Sequence, residues 1–116
     1  MLNKIIVIGN VGSEPEMRYV PSGKAVTTFS LATNKKYTVD GERKEETTWF
    51  RITAWGKQAE TCNQYVVKGM RVYVEGEVRI DEWDTQEGEH KSRLAITARQ
   101  VLFLSRVEQN DEGDDF

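Results

Sequence analysis

The 116-residue sequence predicts an all-β domain: a five-stranded barrel with one helix between its third and fourth strands. Two observations carry that expectation. Five runs have the apolar composition or the alternation with period two that strands require, and Gly, Pro, Asp or Asn cluster in the turns between them. One run, between the third and fourth, switches to a helical period.

The first strand is read over Asn3 to Asn10, rich in Ile and Val on both faces. Ala25 to Thr33 forms the second, with Phe29 and Leu31 set against Thr28 and Ser30. In the third, Thr47 to Trp55, the residues Trp49, Arg51, Thr53 and Trp55 project from one face and Phe50, Ile52 and Ala54 from the other. The fourth, Arg71 to Ile80, turns Val72, Val74, Gly76, Val78 and Ile80 inward and Arg71, Tyr73, Glu75, Glu77 and Arg79 outward. Leu94 to Leu104 closes the series. The segments "GSEP", "PSGK", "VDGE" and "TQEGE" supply the turns. In Lys57 to Lys68 the apolar Ala59, Cys62 and Val66 share a helical face, with Gly69 as the stop. This order is that of the OB fold, although order alone leaves other small barrels open.

A chain of this length buries a core without metals or disulfides. No apolar run approaches the roughly 20 residues that span a bilayer. The N-terminal "MLNKIIVIGN" reads as a strand, because its apolar run breaks at Gly9-Asn10 with no small-residue cleavage pattern. A single cysteine, Cys62, excludes an intrachain disulfide and points to a reducing, cytoplasmic setting. The net charge of −3 divides unevenly: residues 1 to 107 hold 16 bases and 14 acids, and the remaining acids all follow residue 107. A mildly basic body of residues 1–107 is therefore expected, followed by an acidic tail of residues 108–116.

Catalytic chemistry finds little to work with. His90, the only histidine, lies in the turn "EGEHKS" with no evident partner, and Cys62 reads as a small packing residue. Glu45-Glu46 and Asp81-Glu82-Asp84 read as solvated charge, and "GNVG" lacks the helix that a phosphate loop requires. No catalytic residue, metal or cofactor is expected. The aromatic and basic residues say more. Trp49 and Trp55 share a strand face with Arg51, Arg79 and Trp83 share parity, and Tyr37 adjoins Lys35-Lys36 in an expected loop. Flat rings among cations suit a single-stranded nucleic acid, whose unpaired bases stack while its phosphates meet Lys and Arg. A protein-interaction module using the same rings as anchors, or an RNA-binding barrel, is the alternative.

Three segments, "NKIIVIGNVGSEPEMRYVPSGKAVTTFSLAT", "TTWFRITAWGKQAE" and "YVVKGMRVYVEGEVR" followed by Trp83, carry a resemblance to the bacterial-type single-stranded DNA-binding (SSB) family over roughly residues 1 to 104. The resemblance implies an OB-fold subunit of a homotetramer, cytoplasmic and nucleoid-associated. Such a protein binds single-stranded DNA without sequence preference in replication, recombination and repair, and catalyses nothing. Trp49, Trp55 and Trp83 fall where the family stacks bases, and Tyr37 where many relatives have a loop tryptophan. Lys4, Arg18, Arg51, Lys57, Lys68 and Arg79 fall at basic or backbone-contacting positions, and Lys35 and Lys36 join the phosphate-binding set beside Tyr37. Three departures stand out. Asp81-Glu82 precede Trp83 where relatives often carry Arg and Lys, which should weaken the attraction for phosphate there. Tyr37 is a smaller ring than tryptophan. The segment "EQNDEGDDF" has almost no linker and no proline, yet Asp114, Asp115 and Phe116 keep an acidic, aromatic end expected to dock on replication and repair proteins.

Overall fold

The structure, a computed structural model, describes residues 1–105. The elements are β1 (Ile5–Val11), β2 (Glu16–Tyr19), β3 (Ala25–Val39), β4 (Glu42–Trp55), α1 (Lys57–Tyr65), β5 (Arg71–Asp84) and β6 (His90–Ser105). The sheet runs β1-β5-β6-β4-β3-β2, and a further β1–β3 pairing through Asn10↔Ala32 and Val11↔Leu31 closes it into a barrel. All pairings are antiparallel except β4 with β6. The expected OB-like barrel is present, with its helix between β4 and β5. The five expected strands are β1, β3, β4, β5 and β6. Sequence alternation missed β2 because this four-residue edge strand buries none of its side chains fully.

Alternation along the strands builds the core. Phe29 and Leu31 of β3, Ile52 of β4, Val72 and Val74 of β5 and Ile96 of β6 are 2% exposed or less, and Ala59 and Cys62 of α1 cover one end of the barrel. Thr27, buried on β3, donates its hydroxyl to the Ala59 carbonyl at 2.7 Å and ties the helix to the sheet. The helix stops at Tyr65, short of the expected Lys68. Val66 is already extended (φ −75°, ψ 130°), and the β-branched pair Val66-Val67 is a poor continuation of a helix. Burial pushes the Cys62 thiol up to about 11, so it stays protonated and acts as packing.

The larger departure concerns the arms. β3 and β4 remain paired as far as Val39↔Glu42, and β5 and β6 as far as Asp84↔His90, where alternation alone ends the strands near residues 33, 47, 80 and 94. Asp40 and Gly41, with φ of 51° and 80°, make the two-residue connection that a right-twisted hairpin favours. Tyr37 accordingly lies on a strand, opposite Lys44, and not in a loop. Ile80, expected inward, is 60% exposed because β5 has left the barrel by that point.

Within the barrel, beside the start of β1, the register of β5 against β6 shifts at Glu75/Gly76. A Cβ at Gly76 would run into the Thr97 carbonyl of β6, so only glycine permits this approach. Gly76→Ala is expected to cost about 1–3 kcal/mol, the scale of overpacking in a closed core, read as a lowered midpoint in thermal or urea unfolding.

Candidate nucleic-acid interface

Register places the candidate residues on one outer face. Along β4 that face carries Trp49, Arg51, Thr53 and Trp55. The parallel ladder sets Arg51 beside Ala95 and Thr53 beside Thr97 of β6. Across β6, Ala95 pairs with Arg79, Arg93 with Asp81 and Lys91 with Trp83. On the other flank Arg51 pairs with Ser30 and Trp49 with Ala32, while Trp55 pairs with Val26, itself paired with Arg18 of β2. Directly opposed residues point the same way. Trp49, Trp55, Trp83, Arg18, Arg51 and Arg79 therefore belong to one continuous surface.

The tryptophans are not core: Trp49 is 55% exposed, Trp55 38% and Trp83 41%. Each has a defined seat. The Trp49 ring lies against Gly12, where a Cβ would collide with it, and the Gly12 N–H is held by the Ser30 carbonyl at 2.9 Å. Ser13 supports the same corner, its hydroxyl oxygen accepting from the Ser30 N–H at 3.0 Å. The Lys24 ammonium stands 5.6 Å from the centre of the Trp55 ring, and the Arg93 guanidinium 5.0 Å from that of Trp83. Both are within cation–π range.

The arginines are oriented by short-range partners. Arg51 donates to the Thr28 hydroxyl at 3.2 Å. Arg79 donates to Thr97 Oγ1 at 2.7 Å and to Asp81 at 3.0 Å. Asp81, the acid expected to weaken phosphate attraction, is shared between Arg79 and Arg93. Glu82 projects from the opposite face of the arm, where it and Asp84 take the two ring nitrogens of His90 at 2.8 and 3.0 Å. Only an imidazolium donates from both nitrogens, and the bonds to Asp84 and then Glu82 raise the His90 pKa. The two carboxylates lie at opposite ring nitrogens and do not converge on a common point. Among the described residues no group of His, Cys, Asp and Glu is placed to hold a metal ion.

Several expected contacts sit elsewhere. Lys4 is paired with Glu75 at 3.3 Å, at the β5 position that faces Ile6 of β1. Glu75 is held below the usual carboxylate range by the Tyr73 hydroxyl and then by Lys4. By register Tyr37 and Lys35 occupy the ribbon face opposite to Trp49, whereas Lys36 and Arg43 share the Trp49 side. Lys57 opens α1, and Lys68 lies in the turn after it, so neither is on the sheet. Asp114, Asp115 and Phe116, and the boundary after residue 107, lie outside the described residues. Sequence reasoning missed Lys24, Arg43 and Arg93. Arg93 could have been found only from the β5–β6 register, and Lys24 only from the reach of the "PSGK" turn toward Trp55.

A closed OB-like barrel with tryptophans and cations exposed across one sheet face defines the class of oligonucleotide-binding barrels. The chain belongs to the single-strand binding protein family, whose model matches residues 2–104. A single-stranded DNA-binding protein of Helicobacter hepaticus is 38% identical over 114 residues, spanning 97% of this chain and 67% of that protein. The structure of Plasmodium falciparum SSB in complex with ssDNA superposes with a TM-score of 0.78 at 34% identity, covering 90% of this chain and 96% of the other. The small single-stranded DNA-binding protein of Streptomyces coelicolor gives 0.77 at 24% identity over the same shares and supports the fold alone. Members of the family bind single-stranded DNA and are not enzymes.

Gly12→Ala should push the Trp49 ring off its seat: the Trp49 indole N–H resonance moves, those of Trp55 and Trp83 stay, and stability changes little because the ring end that must give way is half exposed. A Trp49 resonance that does not move would show that Gly12 plays no part in holding the ring. For His90, proton NMR titration is expected to give a midpoint above the ordinary 6.5, brought back toward it by Asp84→Asn or Glu82→Gln. Because the folded value is the higher one, the stabilisation from this pair of contacts is fully present below the unfolded value and disappears as pH rises through the folded one.

Proposed function

We propose that the protein coats and protects single-stranded DNA, without sequence preference, during replication, recombination and repair. Bases stack on Trp49, Trp55 and Trp83, and phosphates are neutralised by Arg18, Arg51, Arg79 and Lys36, joined by Lys24 and Arg43. The observation that carries this reading is the three solvent-facing tryptophans on one continuous face. Tyr37, with Lys35, serves a strand that crosses to the other side of the β3–β4 arm, and Lys4, Lys57 and Lys68 lie at the margins of the DNA path. The Plasmodium falciparum relative, solved with ssDNA, supports the ligand class.

The active form is proposed to be a homo-oligomer, a tetramer by family resemblance. The rows Ile8–Tyr73–Leu102 and Ile6–Glu75–Gln100 cross β1, β5 and β6. Ile6 is 52% exposed there and Leu102 45%, two apolar side chains flanking Glu75 and Gln100 that are suited to burial against a second copy. The acidic segment ending in Asp114, Asp115 and Phe116 is proposed to dock on replication and repair proteins. The setting is cytoplasmic, on the nucleoid. Among the described residues no helix is long and apolar enough to cross a membrane.

Tryptophan fluorescence during titration with oligo-dT, at several salt concentrations and against duplex of equal length, tests the reading. Strong quenching by the single strand alone, weakening with salt, is expected. Trp49→Ala, Trp55→Ala and Trp83→Ala should each cost about 1–3 kcal/mol of binding, the range general to OB folds of single-strand binding proteins. An absence of quenching at low salt would refute the stacking assignment, and stronger binding to oligo-U would favour an RNA ligand.

A further inference from the structure

Two acids, Asp81 and Glu82, precede Trp83 on its own strand, and the opposite strand brings a cation to its ring. Arg93 lies directly across from Asp81, one ladder step diagonal from Trp83, on the same face. Its guanidinium rests 5.0 Å from the indole centre, while Asp81 holds it at 3.7 Å. The same carboxylate holds Arg79 at 3.0 Å, so two like charges stand side by side with an acid between them.

From this geometry we infer that Arg93 is a DNA-binding residue of the Trp83 stacking site: it keeps one face of the indole, a base takes the other, and its guanidinium edge contacts the phosphodiester beside that base. The inference rests on the stacking role of Trp83 proposed above and adds to it the place of Arg93 and an order of layers. A guanidinium lying on a ring uses its π-face, and its N–H donors point outward in the ring plane, where a phosphate oxygen can accept from them. The Arg93 side chain is 45% exposed, so those donors are open to a ligand. The cation that relatives often place before the tryptophan is thus moved to the partner strand, and Asp81 becomes a positioning residue for two arginines instead of a simple repellent.

The test uses the full chain, with Arg93→Ala and Arg93→Lys compared with the unaltered protein in oligo-dT titrations at several salt concentrations, after thermal unfolding has shown that each variant is folded. Arg93→Ala is expected to bind about tenfold more weakly, the loss of one charge-assisted contact. The slope of log K against log salt should fall by about 0.7. Quenching at saturation should be retained, since the base keeps its own face of the ring. Arg93→Lys should restore the slope but not the full affinity, because an ammonium offers no planar layer. An Arg93→Ala protein that binds as tightly as the original, or more tightly, overturns the inference, the latter by showing that the base and Arg93 compete for one ring face. Full recovery by Arg93→Lys also overturns it, leaving only a charge. If the unaltered protein itself shows no quenching, the stacking reading falls and this inference falls with it; normal binding by the unaltered protein with an unchanged Arg93→Ala removes Arg93 alone.

Discussion

The short parallel ladder between β4 and β6 is the constraint on which the rest of the molecule depends. Four residue pairs, from Phe50↔Leu94 to Thr53↔Thr97, join the β3–β4 hairpin to the β5–β6 hairpin. Without that join the two hairpins are separate ribbons, and Trp49 and Trp83 have no common surface. With it, the inner sides of both hairpins, Ile52 and Ile96, close the core, and the outer sides, Arg51 and Ala95, become adjacent. Strand period does the remainder, because in a ladder with register set at one pair every second residue outward is placed as well.

On that surface the exposed rings are oriented, not merely left in water. A large aromatic side chain on a solvated sheet would sample several rotamers, and ordering it on binding carries an entropy cost. Each tryptophan here has a neighbour that narrows the choice: the bare backbone of Gly12 under Trp49, the Lys24 ammonium over Trp55 and the Arg93 guanidinium over Trp83. The acids of the β5–β6 arm are sorted by strand parity: Asp81 faces the rings and is shared by two arginines, whereas Glu82 and Asp84 face away and hold His90.

The barrel was legible in the sequence because alternation is a record of burial. Phe29 and Leu31 against Thr28 and Ser30, or Val72 and Val74 between Arg71 and Tyr73, report a strand with one wet and one dry face. The arms were not legible for the same reason. Residues 34 to 46 and 81 to 93 form ladders with both faces in solvent, so no apolar period marks them, and their charges resemble those of a loop. Tyr37 was misplaced on that account, whereas Ile80 was misplaced because the apolar period of β5 continues one step past the barrel. The helix was found but overrun at its end, since the apolar spacing of Val66 continues past the point where the backbone turns extended.

Local chemistry by itself determined that this chain forms a small β barrel with one helix and that its third strand carries an arginine between two tryptophans on one face. Those conclusions rest on period and side-chain type, which are properties of neighbours along the chain. Only the tertiary structure decided which distant residues share the surface: that Arg93 is the cation over the Trp83 ring, that Gly12 lies under Trp49, and that Lys4 is paired with Glu75. The reason is physical. Strand register and the β4–β6 join are set by core packing summed over the whole barrel, and a cross-strand neighbour has no signature in the sequence around it.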